Sequence, residues 1–238
     1  MHLIHLPNAF GNAVENMALD STLLQTTPKK SAVFRHYGWL EPTYTYGYTQ
    51  HYRKIIASTP KGVHLCRRPT AGGIVDHRND WTYSLILQAE LPSARLPIPS
   101  IYKQIHHCLQ RALQQQQVEV HLAPCPKTCT TKSPPEEDPS RCFSNPVGDD
   151  LLLAGNAKLA GAAIKRTRYG ILLQGSIDRE KLPEGFNLEK FSTDFTAAIS
   201  EQLGISINQP SDLRPLFRQP LLNDYRTRYA DIKWQEKR

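Results

Sequence analysis

Residues 67–77 carry side chains and a backbone that could bind an anion. The segment has the sequence Arg-Arg-Pro-Thr-Ala-Gly-Gly-Ile-Val-Asp-His. Consecutive small residues let backbone N–H groups approach an anion closely, and arginine adds charge and a bidentate fork. The segment therefore predicts an anion-binding turn, although a plain Gly-Gly β-turn beside two surface arginines would have the same residues.

Residues 155–163, Gly-Asn-Ala-Lys-Leu-Ala-Gly-Ala-Ala, place one lysine, Lys158, among small side chains. An ammonium group in such surroundings has little steric shielding and can reach a bound carbonyl, carboxylate or phosphate. This pattern predicts a site in which Lys158 contacts a reacting group. The alternative is a surface lysine on a tightly packed turn.

Cys142 is the candidate nucleophile, and it precedes Lys158 by 16 positions. A thiol becomes a good nucleophile when a neighbouring cation lowers its pKa, and Arg141 or a lysine close in space could do so. A cysteine considered alone is more often a small buried hydrophobic residue.

The same cysteine belongs to a competing interpretation, a zinc site. Its four ligands would be one histidine and three cysteines, but their spacing matches none of the usual zinc-finger patterns. The candidate zinc ligands are His121, Cys125, Cys129 and Cys142.

Hydrophobic periodicity predicts three helices that frame these segments. The first begins at a capping Asn12 and ends before Pro28, the second follows a capping Ser100 and continues through the glutamines at 114–117, and the third ends at Gly204. The N-terminal cap of the third helix is expected at Ser192 or Thr193.

Short β-type runs predict strands at residues 32–37, 43–47 and 81–87, expected to be neighbours in one sheet. Two more, 151–155 and 169–173, are expected to flank the small-residue segment. Because strands and helices are grouped rather than strictly alternating, the pattern favours an α+β fold with a mixed or antiparallel sheet.

Composition narrows the function classes. The sequence is 39% hydrophobic and has no apolar run long enough to span a membrane, which excludes a membrane protein. Five cysteines and no export signal predict reduced thiols and a cytoplasmic location. The charge of +7 favours an acidic protein partner over nucleic acid, because the basic residues are dispersed.

Residues 124–141 contain five prolines and no aliphatic or aromatic side chain, which predicts a mobile polar loop.

Taken together, the segments resemble the lipoate-protein ligase and octanoyltransferase family. The resemblance rests on residues 16–20, 67–77 with 81–85, 155–163 and 173–177, in the family's order, and it extends to about Asp178. It implies a biotin/lipoate protein ligase type of fold, with a mixed β-sheet core and surrounding helices. We expect residues 1–238 to form a single catalytic domain.

The resemblance also implies a site. Lys158 occupies the position of the family's essential lysine, which contacts the acyl carbonyl, and Cys142 lies in a Cys-Phe-Ser-Asn-Pro segment that resembles the cysteine-dependent members. Departures from the family pattern are Ala71 for glycine and Gln174 for histidine, together with Asp76 and Arg78 around His77. The expected substrate-binding residues are Arg68, Thr70, Ala71, Gly72, Gly73, Ile74, Val75, His77 and Gly161.

The resemblance to the cysteine-dependent members favours an acyltransferase without a cofactor. It would move an octanoyl or lipoyl group from acyl carrier protein, through a thioester on Cys142, to a lysine of a lipoyl domain or glycine-cleavage H protein. One alternative is a lipoate-protein ligase that uses ATP and Mg²⁺ to form lipoyl-AMP. The other is a non-catalytic module that binds zinc or nucleic acid on the same scaffold.

Overall fold

The structure is a computed structural model and describes residues 1–124 and 146–237. Its helices are α1 (Ala13–Thr26), α2 (Tyr52–Ser58), α3 (Ile98–Gln114), α4 (Leu188–Leu203), α5 (Gln219–Ala230) and α6 (Ile232–Gln235). Its strands are β1 (His2–His5), β2 (Ala9–Gly11), β3 (Ser31–Trp39), β4 (Thr43–Tyr46), β5 (His64–Arg67), β6 (Ile74–Asp76), β7 (Asp80–Gln88), β8 (Val120–Leu122), β9 (Leu151–Leu153), β10 (Lys158–Thr167), β11 (Gly170–Asp178) and β12 (Ser206–Asn208).

In these two described ranges, nine strands form one large sheet. The order is β12-β1-β3-β7-β11-β10-β9-β8, and β2 also pairs with β3. The pairs that involve β1 or β2 are parallel, whereas those from β3 through β7, β11, β10 and β9 to β8 are antiparallel. This mixed sheet with surrounding helices confirms the predicted α+β class.

The two faces of the large sheet carry different helices because successive strand residues point to opposite faces. One face packs against α3 and α4 and contributes Phe34, Tyr83 and Leu173 to the largest core cluster. The other face packs against α1, where Val33, Ile86 and Leu172 contact leucines of that helix. Burial on both faces makes the middle of the sheet a rigid support for the residues at its edge.

A separate three-stranded sheet has the order β5-β4-β6. The expectation that residues 43–47 would neighbour the runs at 32–37 and 81–87 is therefore wrong, although β3 and β7 are neighbours. Strand pairing depends on contacts between distant parts of the chain, which local patterns do not contain. The turn of residues 67–77 joins β5 to β6 and so belongs to this small sheet.

The helix predictions hold in position but not at every boundary. The side chain of Asn12 caps α1 by accepting from the N–H of Glu15, and Gly204 ends α4 in the left-handed conformation, both as predicted. However, α3 begins at Ile98, before Ser100, because the prolines around it need no N–H partner in a first turn. It also ends at Gln114, so the later glutamines form a turn.

The third predicted cap is also wrong. Asn187, not Ser192 or Thr193, caps α4 by accepting from the N–H of Lys190 at 2.9 Å. The extra turn buries Phe191 between the helix and the sheet. Packing of this aromatic side chain gives a physical reason for the earlier start.

The small-residue segment lies inside the sheet rather than between strands. Lys158 begins β10, which pairs with β11 from Ala160 to Thr167. The expected strands on either side are present as β9 and β11, but the segment that they flank is itself a strand. Among the described residues, no helix is long and apolar enough to cross a membrane.

Candidate active site

Lys158 forms an ion pair with a buried carboxylate. Its Nζ lies 2.8 Å from Oδ2 of Asp150, and the Lys158 side chain is 12% exposed whereas that of Asp150 is fully buried. The N–H of Val147 donates to the same oxygen at 2.7 Å, and the hydroxyl of Tyr102 donates to the other oxygen, Oδ1. The carboxylate is thus fixed by α3 and by the turn before β9 while it holds the lysine.

Tyr102 also covers an open strand edge. Strand β9 pairs with β10 only as far as Ala160, and beyond that point the N–H of Ala162 donates to the Tyr102 hydroxyl at 3.0 Å. Burial, and then the nearby Asp150 carboxylate, raise the pKa of Tyr102 well above its ordinary value. The hydroxyl therefore stays neutral, so that it can donate to Asp150 and accept from β10 at the same time.

Gly161 leaves the space that the lysine occupies. A Cβ at this position would stand 2.8 Å from Cε of Lys158, 2.9 Å from Nζ and 2.8 Å from Oδ1 of Asp150. Contacts this short do not occur without displacement of one partner. The absence of a side chain at Gly161 is therefore a requirement of the Lys158–Asp150 geometry.

His106 supports the chain just before Asp150. Its Nδ1 lies 2.6 Å from the carbonyl oxygen of Asp149, and because a carbonyl only accepts, Nδ1 carries the proton. Burial lowers the pKa of His106 to about 4, so the ring is neutral near pH 7. Nothing in the described part of the chain forms a hydrogen bond with Nε2. This contact holds Asp149, whose φ is 66°, in the turn that delivers the Asp150 carboxylate.

The sequence analysis missed Tyr102, His106 and Asp150. One available signal was the acidic pair at 149–150 shortly before Lys158, and another was the four-residue spacing of Tyr102 and His106, which places both on one face of α3. Neither signal identifies a site until the fold brings α3 to the edge of β10.

The guanidinium of Arg68 forms hydrogen bonds with the backbone of the turn of residues 67–77. Its Nη2 donates to the carbonyl oxygens of Ala71 at 2.7 Å and Gly73 at 2.8 Å, and its Nη1 donates to the carbonyl of Thr45 at 3.1 Å. These bonds engage the guanidinium with the protein's own backbone. The structure thus gives Arg68 a part in holding the turn, while a contact with substrate stays a prediction.

The turn meets β10 beside Gly161. Gly72 has a φ of 92°, and a Cβ built on it would lie 3.7 Å from the Cβ of Ala163, two residues along β10 from Gly161. The two segments singled out from the sequence are therefore adjacent in space. Ala71 is not among the described non-glycine residues with positive φ, so alanine in place of the family's usual glycine carries no left-handed strain.

A buried chain of hydrogen bonds ties the turn to the sheet. The hydroxyl of Thr70 donates to Oε1 of Gln174 at 2.7 Å, and Nε2 of Gln174 donates to Oδ2 of Asp20 at 2.7 Å. Asp20 forms an ion pair with Arg35 at 2.9 Å, and both side chains are almost fully buried. Gln174, where the family often has histidine, therefore has partners for both ends of its amide.

His77 lies between β6 of the small sheet and β7 of the large sheet. Its ring bonds to the Asp80 carboxylate at 2.7 Å and the Thr45 hydroxyl at 2.8 Å, and it stacks on Trp39 at 4.1 Å between ring centres. These contacts give His77 a supporting place in the structure. A contact with substrate is not described and stays a prediction.

The other predicted residues of the turn divide by burial. Ile74 is buried in a small cluster with Tyr46 and Ile55, whereas Val75 is partly exposed. Asp76 and Arg78, the departures on either side of His77, form a surface ion pair at 2.6 Å.

Cys142 lies outside the described residues, as do Cys125, Cys129 and the predicted loop apart from Pro124. In the part of the chain that is described, no group of three or more His, Cys, Asp or Glu side chains is arranged to hold a metal. His121, the described member of the proposed zinc set, contacts the side chain of Asn156 at 3.3 Å. The zinc interpretation therefore stays untested.

Residues 12–187 match the family model of the lipoyl protein ligase A/B catalytic domain. The chain belongs to this family. The matched range spans the turn of residues 67–77, Asp150, Lys158 and Gln174. It confirms the family that the sequence segments resembled.

The lipoyl protein ligase A/B relatives include octanoyltransferases named LipM. The chain is 30% identical to that of Kyrpidia tusciae, over 77% of this chain and 69% of the relative. It is 33% identical to those of Geobacillus kaustophilus, over 75% of this chain and 66% of the relative, and Bacillus subtilis, over 70% and 63%. The chain therefore matches about two thirds of the length of these relatives.

Solved structures of the lipoyl protein ligase type share the fold. A lipoate-protein ligase A bound with ATP superposes with a TM-score of 0.72 at 16% identity, over 99% of this chain and 98% of that one. The bi-partite lipoate protein ligase of Thermoplasma acidophilum gives 0.72 at 16% identity, over 99% and 96%. At this identity the likeness establishes the fold alone, and it confirms the predicted fold type.

Proposed function

We propose that this chain is an acyltransferase that moves an octanoyl, or lipoyl, group through a thioester on Cys142. The donor is acyl carrier protein, and the acceptor is a lysine of a lipoyl domain or glycine-cleavage H protein. The LipM relatives support the class of reaction. The observation that carries the proposal is the Lys158 ammonium, held by Asp150 over Gly161 and beside the turn that contains Gly72.

The first half-reaction transfers the acyl group to the enzyme. The Cys142 thiolate attacks the carbonyl carbon of the donor thioester, a new S–C bond forms, and the donor's C–S bond breaks so that its sulfur leaves as a thiol after taking up a proton. The oxyanion formed on the way carries a negative charge. In this proposal the Lys158 ammonium stabilises that charge.

The second half-reaction transfers the acyl group to the acceptor. The neutral amine of the acceptor lysine attacks the Cys142 thioester, an amide bond forms, the C–S bond breaks, and the sulfur recovers the proton that the amine loses. One thioester replaces another, and the final amide is more stable than either. The reaction therefore needs no ATP and no cofactor.

Asp150 and Tyr102 prepare Lys158 for both half-reactions. A carboxylate 2.8 Å away pairs with the ammonium group of the lysine and fixes its direction. Because Tyr102 and Val147 donate to that carboxylate, it does not need to move when substrate arrives. This arrangement is the electrostatic preorganisation expected for a group that stabilises an oxyanion.

The test is intact mass spectrometry of the enzyme after incubation with octanoyl acyl carrier protein. We expect a mass increase of one octanoyl group, absent in Cys142→Ser and discharged when a lipoyl domain is added. Lys158→Met should form the adduct more slowly without losing the thiol.

Two control incubations separate the alternatives. Modification of the lipoyl domain only with free octanoate or lipoate, ATP and Mg²⁺ would identify a ligase instead. No adduct and no modified acceptor, together with about one zinc per chain by elemental analysis, would support the non-catalytic module.

A further inference from the structure

Three cations gather at the end of β10 that lies away from Lys158. The Nζ of Lys165 lies 5.0 Å from the ring centre of Tyr48. The guanidinium carbon of Arg228, on α5, lies 5.7 Å from the ring centre of Trp234, and the Nζ of Lys237 lies 5.9 Å from the same ring. Aromatic faces therefore hold these positive groups in place.

Among the described residues, no acidic side chain pairs with the cations of this cluster. Within residues 1–124 and 146–237, none of Lys165, Arg228 and Lys237 forms an ion pair with an aspartate or glutamate. Burial, and then the charges of Arg228 and Lys237, lower the pKa of Lys165. A partly buried cation near like charges is destabilising, and an anionic partner would relieve the repulsion. Lys158, in contrast, already has Asp150.

The cluster adjoins the candidate active site without being part of it. Lys165 shares a face of β10 with Gly161 and Ala163, because alternate residues of a strand point the same way. Gly72 approaches this face at Ala163. Seven residues of strand separate Lys165 from Lys158, a span of at most about 23 Å.

We propose that Lys165, Arg228 and Lys237 form the docking surface for the acidic carrier protein that delivers the acyl thioester. The inference rests on the proposed function and adds the place where the donor binds. Charge complementarity favours an acidic partner on a patch of three cations that have no acidic partner within residues 1–124 and 146–237. The flanking tyrosine, tryptophan and arginine are residue types enriched in protein interfaces.

The distance from Lys158 selects the donor over the acceptor. A carrier presents its acyl group on a long flexible arm, so its body binds well away from the reacting carbonyl. An acceptor lysine has only its own four-carbon stem, so its domain must bind directly beside Lys158. A surface as much as about 23 Å from Lys158 along the strand therefore suits the carrier.

The experiment compares two thioester donors in the double variant Lys165→Glu/Arg228→Glu. With octanoyl acyl carrier protein we expect kcat/KM to fall by about 10- to 100-fold, through KM, and to lose much of its dependence on salt. With octanoyl-pantetheine, which has neither protein nor phosphate, kcat/KM should be unchanged. The matched control is Lys61→Glu/Lys103→Glu, which makes the same change in charge at exposed positions elsewhere.

Further measurements keep the outcome interpretable. Arg228→Glu alone, on the exposed side of α5, should give part of the effect even if the partly buried Lys165→Glu disturbs folding. Calorimetric binding of the unacylated carrier, with its arm as a free thiol, should weaken in parallel. An equal loss with octanoyl-pantetheine, an equal loss in the control, or weakened binding of the lipoyl domain alone would overturn the docking surface.

The same binding measurement separates this inference from the proposed function. If the unaltered protein transfers no octanoyl group but binds the carrier, and the double variant does not, the surface stands and the proposed reaction fails. If transfer proceeds equally well from the carrier in both proteins, the reaction stands and the surface fails.

Discussion

The ammonium group of Lys158 stands above Gly161, 2.9 Å from the point where a Cβ of residue 161 would be. A single methyl group at this position would therefore compete with the lysine for the same space. The Asp150 carboxylate cannot move aside to make room, because Tyr102 and Val147 hold it from two other elements.

Gly161→Ala is expected to impair transfer by displacing the Lys158 amine. A shift of about 1 Å in a catalytic group costs about 100-fold in rate, so kcat/KM with an octanoyl thioester should fall by about that factor. The measurement is steady-state kinetics alongside thermal unfolding, so that a loss of folded protein is recognised. Kinetics equal to those of the unaltered protein would show that Lys158 does not act from this position.

Asp150→Asn tests the ion pair itself. Loss of the carboxylate leaves a largely buried ammonium without its counter-charge, and the unfolding free energy should fall by about 3 kcal/mol. Transfer should also slow, because the amine loses the carboxylate that fixes its position. Urea unfolding and steady-state kinetics measure the two effects.

A double-mutant cycle isolates the Asp150 interaction. Lys158→Met should lose less stability when Asp150→Asn is already present. The comparison is the more exposed pair of Lys190 and Asp194, 2.6 Å apart on α4, where the same substitutions should show a coupling of only about 0.5 kcal/mol. Equal coupling in both pairs would mean that burial adds nothing to the interaction at Lys158.

The sequence predicted the lysine of this pair but not its partner. Lys158 is conspicuous because small residues surround it, and the turn of residues 67–77 is conspicuous for its glycines and arginines. Asp150 becomes significant only when antiparallel pairing brings β9 beside β10, and Tyr102 only when α3 packs over the same edge. These are tertiary relationships, which no spacing within one segment encodes.

The fold shows the same division between local and distant information. Asn12 and Gly204 mark helix ends by their own side-chain and backbone chemistry, so both were predicted correctly. The placing of β3 and β4 in different sheets depends on which distant strands pair, so the sequence did not predict it. The strand signal of β10 is also weak, because glycine and alanine are uncommon in strands. Gly161 is nevertheless part of the strand, and the side chain of Lys158 fills the space beside it.

Thr70→Val should loosen the turn from the sheet. The substitution keeps the shape of the side chain but removes the hydroxyl that donates to Oε1 of Gln174 at 2.7 Å, which leaves a buried acceptor unpaired. The expected cost is about 1–3 kcal/mol of unfolding free energy, together with a raised KM for the acyl donor. Thr193→Val, at an exposed position on α4, is the matched control and should change stability by less than about 0.5 kcal/mol. If the two variants were equally stable, the hydrogen bond to Gln174 would have no role in holding the turn.

His106 should make the protein less stable in mild acid. Burial lowers its pKa to about 4, whereas the unfolded chain has the ordinary value of 6.5. Between these values the unfolded chain binds a proton that the folded protein does not, so the unfolding free energy falls as the pH is lowered from about 6.5 towards 4, by up to about 3 kcal/mol.

The variant His106→Asn keeps a donor near the Asp149 carbonyl but has no group that titrates in this range. Urea unfolding at several pH values should therefore give a shallower pH dependence for His106→Asn than for the unaltered protein. His107→Asn, at an exposed position on the same helix, is the control and should retain the full slope. If His106→Asn left the pH dependence of the unfolding free energy unchanged, the folded protein would accept a proton on His106. The ring would then not be held neutral against the carbonyl of Asp149.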